Sequence, residues 1–225
     1  MTTLNRFPAR LAALALAAAS LGGALSACAP LVVGGAVGTA LVAVDRRTSG
    51  AQLDDQGIEL RAANRIKEQF GERANISVTS YNRQVLLTGE AASEATKADI
   101  ERVVAGVDNV RSIVNEISVV NTPPLSERTN DSLITGKVKA GFVDAKDLSA
   151  VAFKVTTRRG TVYLMGRVTQ REAARATDIA RNTSGVQRVV RVFEILTEEE
   201  LARLASPVKA EEQKAQQPQP PRPAN

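Results

Sequence analysis

The chain has 225 residues, with 29 Lys and Arg against 24 Asp and Glu and a formal charge of +5. It contains no His, no Trp and a single cysteine, Cys28. These absences exclude Ser-His-Asp and Cys-His nucleophile systems, His-ligated metals, histidine pH switches and any internal disulfide. Apolar residues make up 44% and aromatics 3%, so one or two modest domains with an aliphatic core are expected. The first 27 residues carry only Arg6 and Arg10, and the remaining charge is +3. A balance this mild permits contact with an anionic surface without requiring it. Nucleic-acid binding would need a basic stripe interleaved with stacking aromatics. Neither is present, so no nucleic-acid partner is expected, and no cofactor or metal.

Residues 1–27, MTTLNRFPARLAALALAAASLGGALSA, have the parts of an export signal: a basic start, an apolar run and small residues before a break point. The ending LSAC resembles the bacterial lipobox, and the only cysteine stands where a lipobox needs it. That resemblance implies lipidation at Cys28, with Ala29 rather than Asp directing the protein to the outer membrane. The stretch after Cys28 is apolar but shorter than the about 20 residues of a membrane span, and it carries Gly34, Gly35 and Gly38. Residues 28–53 are therefore expected to form a lipidated tether near the bilayer surface.

An internal repeat follows. VTSYNRQVLLTGEA (78–91) matches VTTRRGTVYLMGRV (155–168) at an offset of 77, through Val78/Val155, Thr79/Thr156, Val85/Val162, Leu87/Leu164 and Gly89/Gly166. Each copy opens with an amphipathic helix: Ile58, Ala62, Ile66 and Phe70 in the first, Ile134, Val138 and Phe142 in the second. A strand, a tight turn at Asn82-Arg83 or Arg159-Gly160, and a second strand ending at Gly89 or Gly166 come next. Alternation of Val85 and Leu87 against Leu86 and Thr88 predicts a sheet with one face more buried than the other. A second helix starts at Ser93, or at the capping box Thr169/Glu172, and a last strand (110–119 or 189–196) closes the unit.

The expected fold is thus α+β: two tandem α-β-β-α-β units, each a three-stranded mixed sheet with two helices on one face. The expected boundaries are 54–120, a linker at 121–129 that carries Pro123-Pro124, and 130–196. A short helix and a disordered Pro/Gln-rich tail fill 197–225. Each unit is small for independent stability, so packing between the copies is expected. Tyr163 and Met165 point away from Val162 and Leu164 and are candidates to line that contact.

The segments NDSLITGKVKAGF, FKVTTRRGTVYLMGRVTQREA and ARNTSGVQRVVRVFEIL resemble the BON-domain family. Two copies behind a lipobox resemble its dual-domain outer-membrane lipoproteins. The resemblance implies a non-enzymatic protein on the periplasmic face of the outer membrane. It also implies binding of anionic phospholipid, chiefly phosphatidylglycerol, through the first helix of the second domain, and support of membrane integrity at division sites. The alternative is a periplasmic scaffold that docks on outer-membrane assembly proteins.

Candidate lipid-binding residues lie on or beside that helix: Leu133, Ile134, Lys137, Lys139 and Leu125. At about 100° per residue Leu133 sits roughly 140° from the centre of the Ile134/Val138/Phe142 stripe, beyond what the core needs. Two readings are open for it: an apolar wedge beside lysines, or packing on the linker or the first repeat. Asp54-Asp55 and Glu198-Glu199-Glu200 read as helix-dipole partners, Arg158 and Arg159 as a solvated turn, and Gly89 and Gly166 as strand ends.

Overall fold

The computed structural model describes residues 45–120 and 125–204, apart from the side chains of Glu72, Leu125 and Ser126. Helix α1 (Ser49–Phe70) opens on Thr48, whose hydroxyl accepts the Ala51 amide at 3.1 Å. The helix thus starts inside the stretch expected to be tether. It buries Ala51, Asp55, Ile58, Ala62, Ile66 and Phe70 on one stripe and stops at Gly71, whose φ of 52° suits glycine. Strands β1 (Ala74–Tyr81) and β2 (Gln84–Ala91) form an antiparallel hairpin. Helix α2 (Glu94–Ala105), capped by Ser93, carries the chain over to β3 (Ser112–Val119), which lies parallel to β2.

The second unit repeats this with α3 (Leu125–Asp144), β4 (Phe153–Arg158), β5 (Thr161–Thr169), α4 (Gln170–Arg181) and β6 (Arg188–Leu196). Its sheet order is β4-β5-β6, matching β1-β2-β3. Helix α3 begins five residues before the expected start, so part of the expected linker is helical. Both capping boxes form: Thr169 with Glu172 at α4, and Thr197 with Glu200 at the turn of helix 198–204.

The two hairpin turns are held the same way. Asn82 and Arg83 both have positive φ (51° and 66°), as a type I′ turn requires, and neither is glycine. A non-glycine residue there costs about 1–2 kcal/mol. The Asp55 carboxylate offsets this by accepting the Asn82 amide at 2.8 Å and the Arg83 amide at 2.7 Å. It also accepts Ser80 Oγ at 2.7 Å and Arg47 Nη1 at 2.8 Å. Asp131 does the same for the Arg159 and Gly160 amides at 2.8 and 2.9 Å. The dipole reading of Asp55 is therefore corrected: it lies six residues inside α1 and is 2% exposed, a fastener between helix and turn.

Two further expectations change. Gly89 and Gly166 are interior strand residues, paired with Ile76 and Phe153. A Cβ would lie 2.1 Å from the Asn75 carbonyl oxygen at Gly89 and 2.4 Å from that of Ala152 at Gly166, so close backbone approach demands glycine at both. The central strands are also buried on both faces: Leu86 and Thr88 are as sealed as Val85 and Leu87. Their second faces meet. Tyr81 and Leu86 of the first sheet pack with Tyr163, Met165 and Val192 of the second. Tyr163 and Met165 thus line the contact between copies, and burial pushes the Tyr163 hydroxyl up, with that of Tyr81 reaching about 12.

Ion pairs border this layer. Lys154 meets Glu59 at 2.6 Å, Arg188 meets Glu116 at 2.6 Å, and Arg158 pairs with the buried Glu90. Arg158 is thus part of the contact between copies and no solvated turn residue. The segment Asp45-Arg46-Arg47 crosses the same border. Arg46 donates twice to Glu172, at 2.7 Å each, and once to the Arg167 carbonyl, while Arg167 donates back to the Arg46 carbonyl. Arg47 bridges Asp45 and Asp55 and lies over the Tyr81 ring at 4.3 Å.

Asp55→Ala is expected to lower unfolding free energy by about 2–4 kcal/mol in urea titration, against less than about 0.5 kcal/mol for the surface control Asp99→Ala. Glu172 supplies a pH test. Burial raises its carboxyl, but the Arg46 side chain, the Thr169 amide and the Arg46 charge outweigh this and hold it below the ordinary glutamate value. Such a group contributes stability above its unfolded pKa and loses it as pH falls through the folded value. The urea midpoint should therefore drop more steeply between about pH 5 and about pH 3 in the wild type than in Arg46→Gln. Parallel curves would show that the pair contributes nothing.

Candidate functional site

Helix α3 is apolar on two sides. Its inner stripe, Ile134, Val138 and Phe142, is 0–1% exposed and packs on Val155, Val162, Leu164 and the small residues Ala173, Ala176 and Ala180 of α4. Phe142 also meets Phe153 with ring centroids 5.0 Å apart. Gly141 lets α3 approach α4, since a Cβ there would lie 2.8 Å from Ile179 Cγ2.

The outer side carries Leu133, 60% exposed, and Val143, 72% exposed, with exposed Gly136 and Ala140 between them. Positions 133, 136, 140 and 143 stand at i, i+3, i+7 and i+10, which places them in one band along the helix. Leu133 belongs to none of the core clusters among the described residues. Lys137 and Lys139 flank the band on either side and are exposed. The Lys137 ammonium donates to Ser184 Oγ at 2.9 Å and pairs with no carboxylate among the described residues. At Gly136 a Cβ would meet nothing within 4 Å, so this part of the band is open.

The expected residues therefore divide. Leu133, Lys137 and Lys139 share the outward face. Ile134 does not: it is 1% exposed and its Cγ1 lies 3.0 Å from where a Cβ of Gly185 would stand, so it belongs to the core. The Leu125 side chain and Cys28 lie outside the described residues. Val143 is an addition. Its signal was the ten-residue spacing from Leu133 across two small residues, which a search for large apolar neighbours passes over. Elsewhere among the described residues, Leu53 (69% exposed) and Leu60 (64%) sit seven apart on the outer side of α1. No helix among the described residues is long and apolar enough to cross a membrane.

The BON domain family matches residues 54–121 and 130–197, one match for each unit. Among similar proteins, the outer membrane lipoprotein DolP of Haemophilus influenzae is 35% identical over 175 residues, 76% of this chain and 90% of that protein. The 21 kDa hemolysin of Actinobacillus pleuropneumoniae is 34% identical over 152 residues, 67% of this chain and 78% of its own. The osmotically-inducible protein Y of Escherichia coli is 27% identical over 144 residues, 62% of this chain and 72% of its own. With both repeats matched and a relative of this identity covered over most of its length, the chain belongs to the BON-domain family, in its branch of two-domain outer-membrane lipoproteins.

Proposed function

We infer that this protein is a non-enzymatic membrane-binding module, held to the periplasmic face of the outer membrane by lipid on Cys28. Its second BON domain reads anionic phospholipid, chiefly phosphatidylglycerol, through the outer face of α3, and this supports outer-membrane integrity at division sites. The observation that carries the reading is the outward band of Leu133, Gly136, Ala140 and Val143 between Lys137 and Lys139, on a helix whose core needs are met by another stripe.

The magnitudes suit a weak second contact. Withdrawing a Leu or Val from water is worth about 1.5–3 kcal/mol, and a basic residue at an anionic surface about 1 kcal/mol. Against the cost of immobilising a protein at a surface, the sum supports millimolar to micromolar affinity. An acyl anchor raises the effective lipid concentration, so such affinity suffices to bias orientation and position.

A protein-interaction scaffold is the second reading, favoured by the exposed Leu53 and Leu60 of α1. Tyr163, 4% exposed, and Arg158, engaged with Glu90, offer no surface to such a partner.

Leu133→Glu and Val143→Glu, each in the mature chain carrying Cys28→Ser, are expected to weaken binding to phosphatidylglycerol-rich vesicles by at least about tenfold in co-sedimentation. Both positions are exposed, so unfolding free energies should stay within about 0.5 kcal/mol of the parent. Leu60→Glu should bind as the parent does. Loss of binding in Leu60→Glu with retention in the other two would transfer the site to α1.

A further inference from the structure

The backbone passes between the two domains once, through residues 121–124. A second segment, Asp45-Arg46-Arg47, also crosses their border. It runs directly into α1 of the first domain, and Arg46 reaches from it into the second. The Arg46 guanidinium forks onto both oxygens of Glu172 at 2.7 Å and donates to the Arg167 carbonyl at 2.9 Å. Arg167 Nη1 returns a bond to the Arg46 carbonyl at 2.8 Å. The pair is sealed, with the Arg46 side chain 9% exposed and that of Glu172 4%. Glu172 is itself held in place, because it accepts the Thr169 amide in the capping box of α4. Arg47 turns the other way, onto Asp55 at 2.8 Å and the Tyr81 ring. Two adjacent arginines thus seat on buried acids of different domains. A fork of this kind is far stronger than an ion pair on the surface.

The layer that the segment borders is built to part. Neither domain's own core includes a residue of the shared layer, so separation leaves both cores intact. The layer is apolar only around Leu86 and Met165. Around that patch it buries Thr79, Thr88 and Glu90. Thr88 lies on the same face of β2 as Leu86, and its Oγ1 is buried with no hydrogen-bond partner among the described residues. Water would satisfy that hydroxyl once the faces separate, which lowers the cost of opening. Domain contacts of this polar kind allow relative motion by default.

We propose that the two domains form a hinged pair and that Arg46 is its latch. With Arg46 on Glu172 the sheets stay face to face. With the latch released the domains part as rigid bodies about residues 121–124. The open state uncovers Tyr163 and Met165 among Lys154, Arg158 and Arg188, three cations that lose their carboxylate partners in the first domain. The latch thus governs a concealed apolar and cationic face. This inference is independent of the membrane reading of α3.

A thiol probe tests it. Cys28 is the chain's only cysteine, so in the mature chain carrying Cys28→Ser an introduced cysteine is unique. Val192→Cys places it in the shared layer, and Val162→Cys places it in the second domain's own core. The two substitutions are the same and both sites are buried. Labelling by a water-soluble thiol reagent is followed as a function of urea. In the parent, position 192 is expected to label at least about tenfold faster than 162 and with a weaker urea dependence, since parting exposes only the layer. Arg46→Gln should speed labelling at 192 by at least about twentyfold while that weak urea dependence is kept. Lys154→Gln removes a partly exposed pair and should change it by no more than about fivefold. Equal rates and equal urea slopes at 192 and 162 in the parent would mean that the domains part only by unfolding, and would overturn the hinge. Fast labelling at 192 that Arg46→Gln leaves unchanged would overturn the latch. A urea slope at 192 that rises to that of 162 in Arg46→Gln would assign Arg46 to the fold of the domain and overturn the latch as well.

Discussion

A three-stranded sheet with two helices on one face leaves its other face bare, and in this protein the two bare faces cover each other. Leu86 and Tyr81 of the first sheet meet Tyr163, Met165 and Val192 of the second. That contact explains why the central strands are apolar on both sides. It also explains why charged residues on the sheet edges find partners in the other copy, as Lys154 does in Glu59 and Arg188 in Glu116. Units of this size bury too little surface to be comfortable alone. The shared layer supplies the missing burial and leaves the helices to face outward.

The same layer receives the segment that precedes α1. Arg46 joins that segment to Glu172 and Arg167 of the second domain, while Arg47 ties it to Asp55 and Tyr81 of the first. The segment is thus fastened to both copies at their common border.

Much of this architecture was legible, because it rests on local spacing. The repeat at an offset of 77, the stripes through Ile58 and Ile134, the capping boxes and the two-residue turns are all short-range patterns. What escaped was set by distant partners. Asp55 looks like any acid near a helix start until the hairpin it fastens is placed against it. Gly89 and Gly166 punctuate a strand on paper, yet the neighbouring backbone is what forbids their Cβ. Arg158 sits beside a turn and is paired across the domain contact. On α3 the same limit applies. Helical angles separate Leu133 from the core stripe, but only the packing shows that Ile134 is fully sealed and that Val143 extends the outward band.

A helix with two apolar sides carries one more than folding needs, and the surplus side is where a function is most economically placed. Depth measurement on the membrane tests this directly. Nitroxide labels are introduced one at a time by Leu133→Cys, Val143→Cys and Leu60→Cys in the mature chain carrying Cys28→Ser. Accessibility to oxygen and to a water-soluble relaxant is then read with and without phosphatidylglycerol vesicles. The account predicts that labels at 133 and 143 gain oxygen and lose the polar relaxant on vesicles, while the label at 60 is unchanged. Labels at 133 and 143 that remain in water while vesicles bind would contradict it.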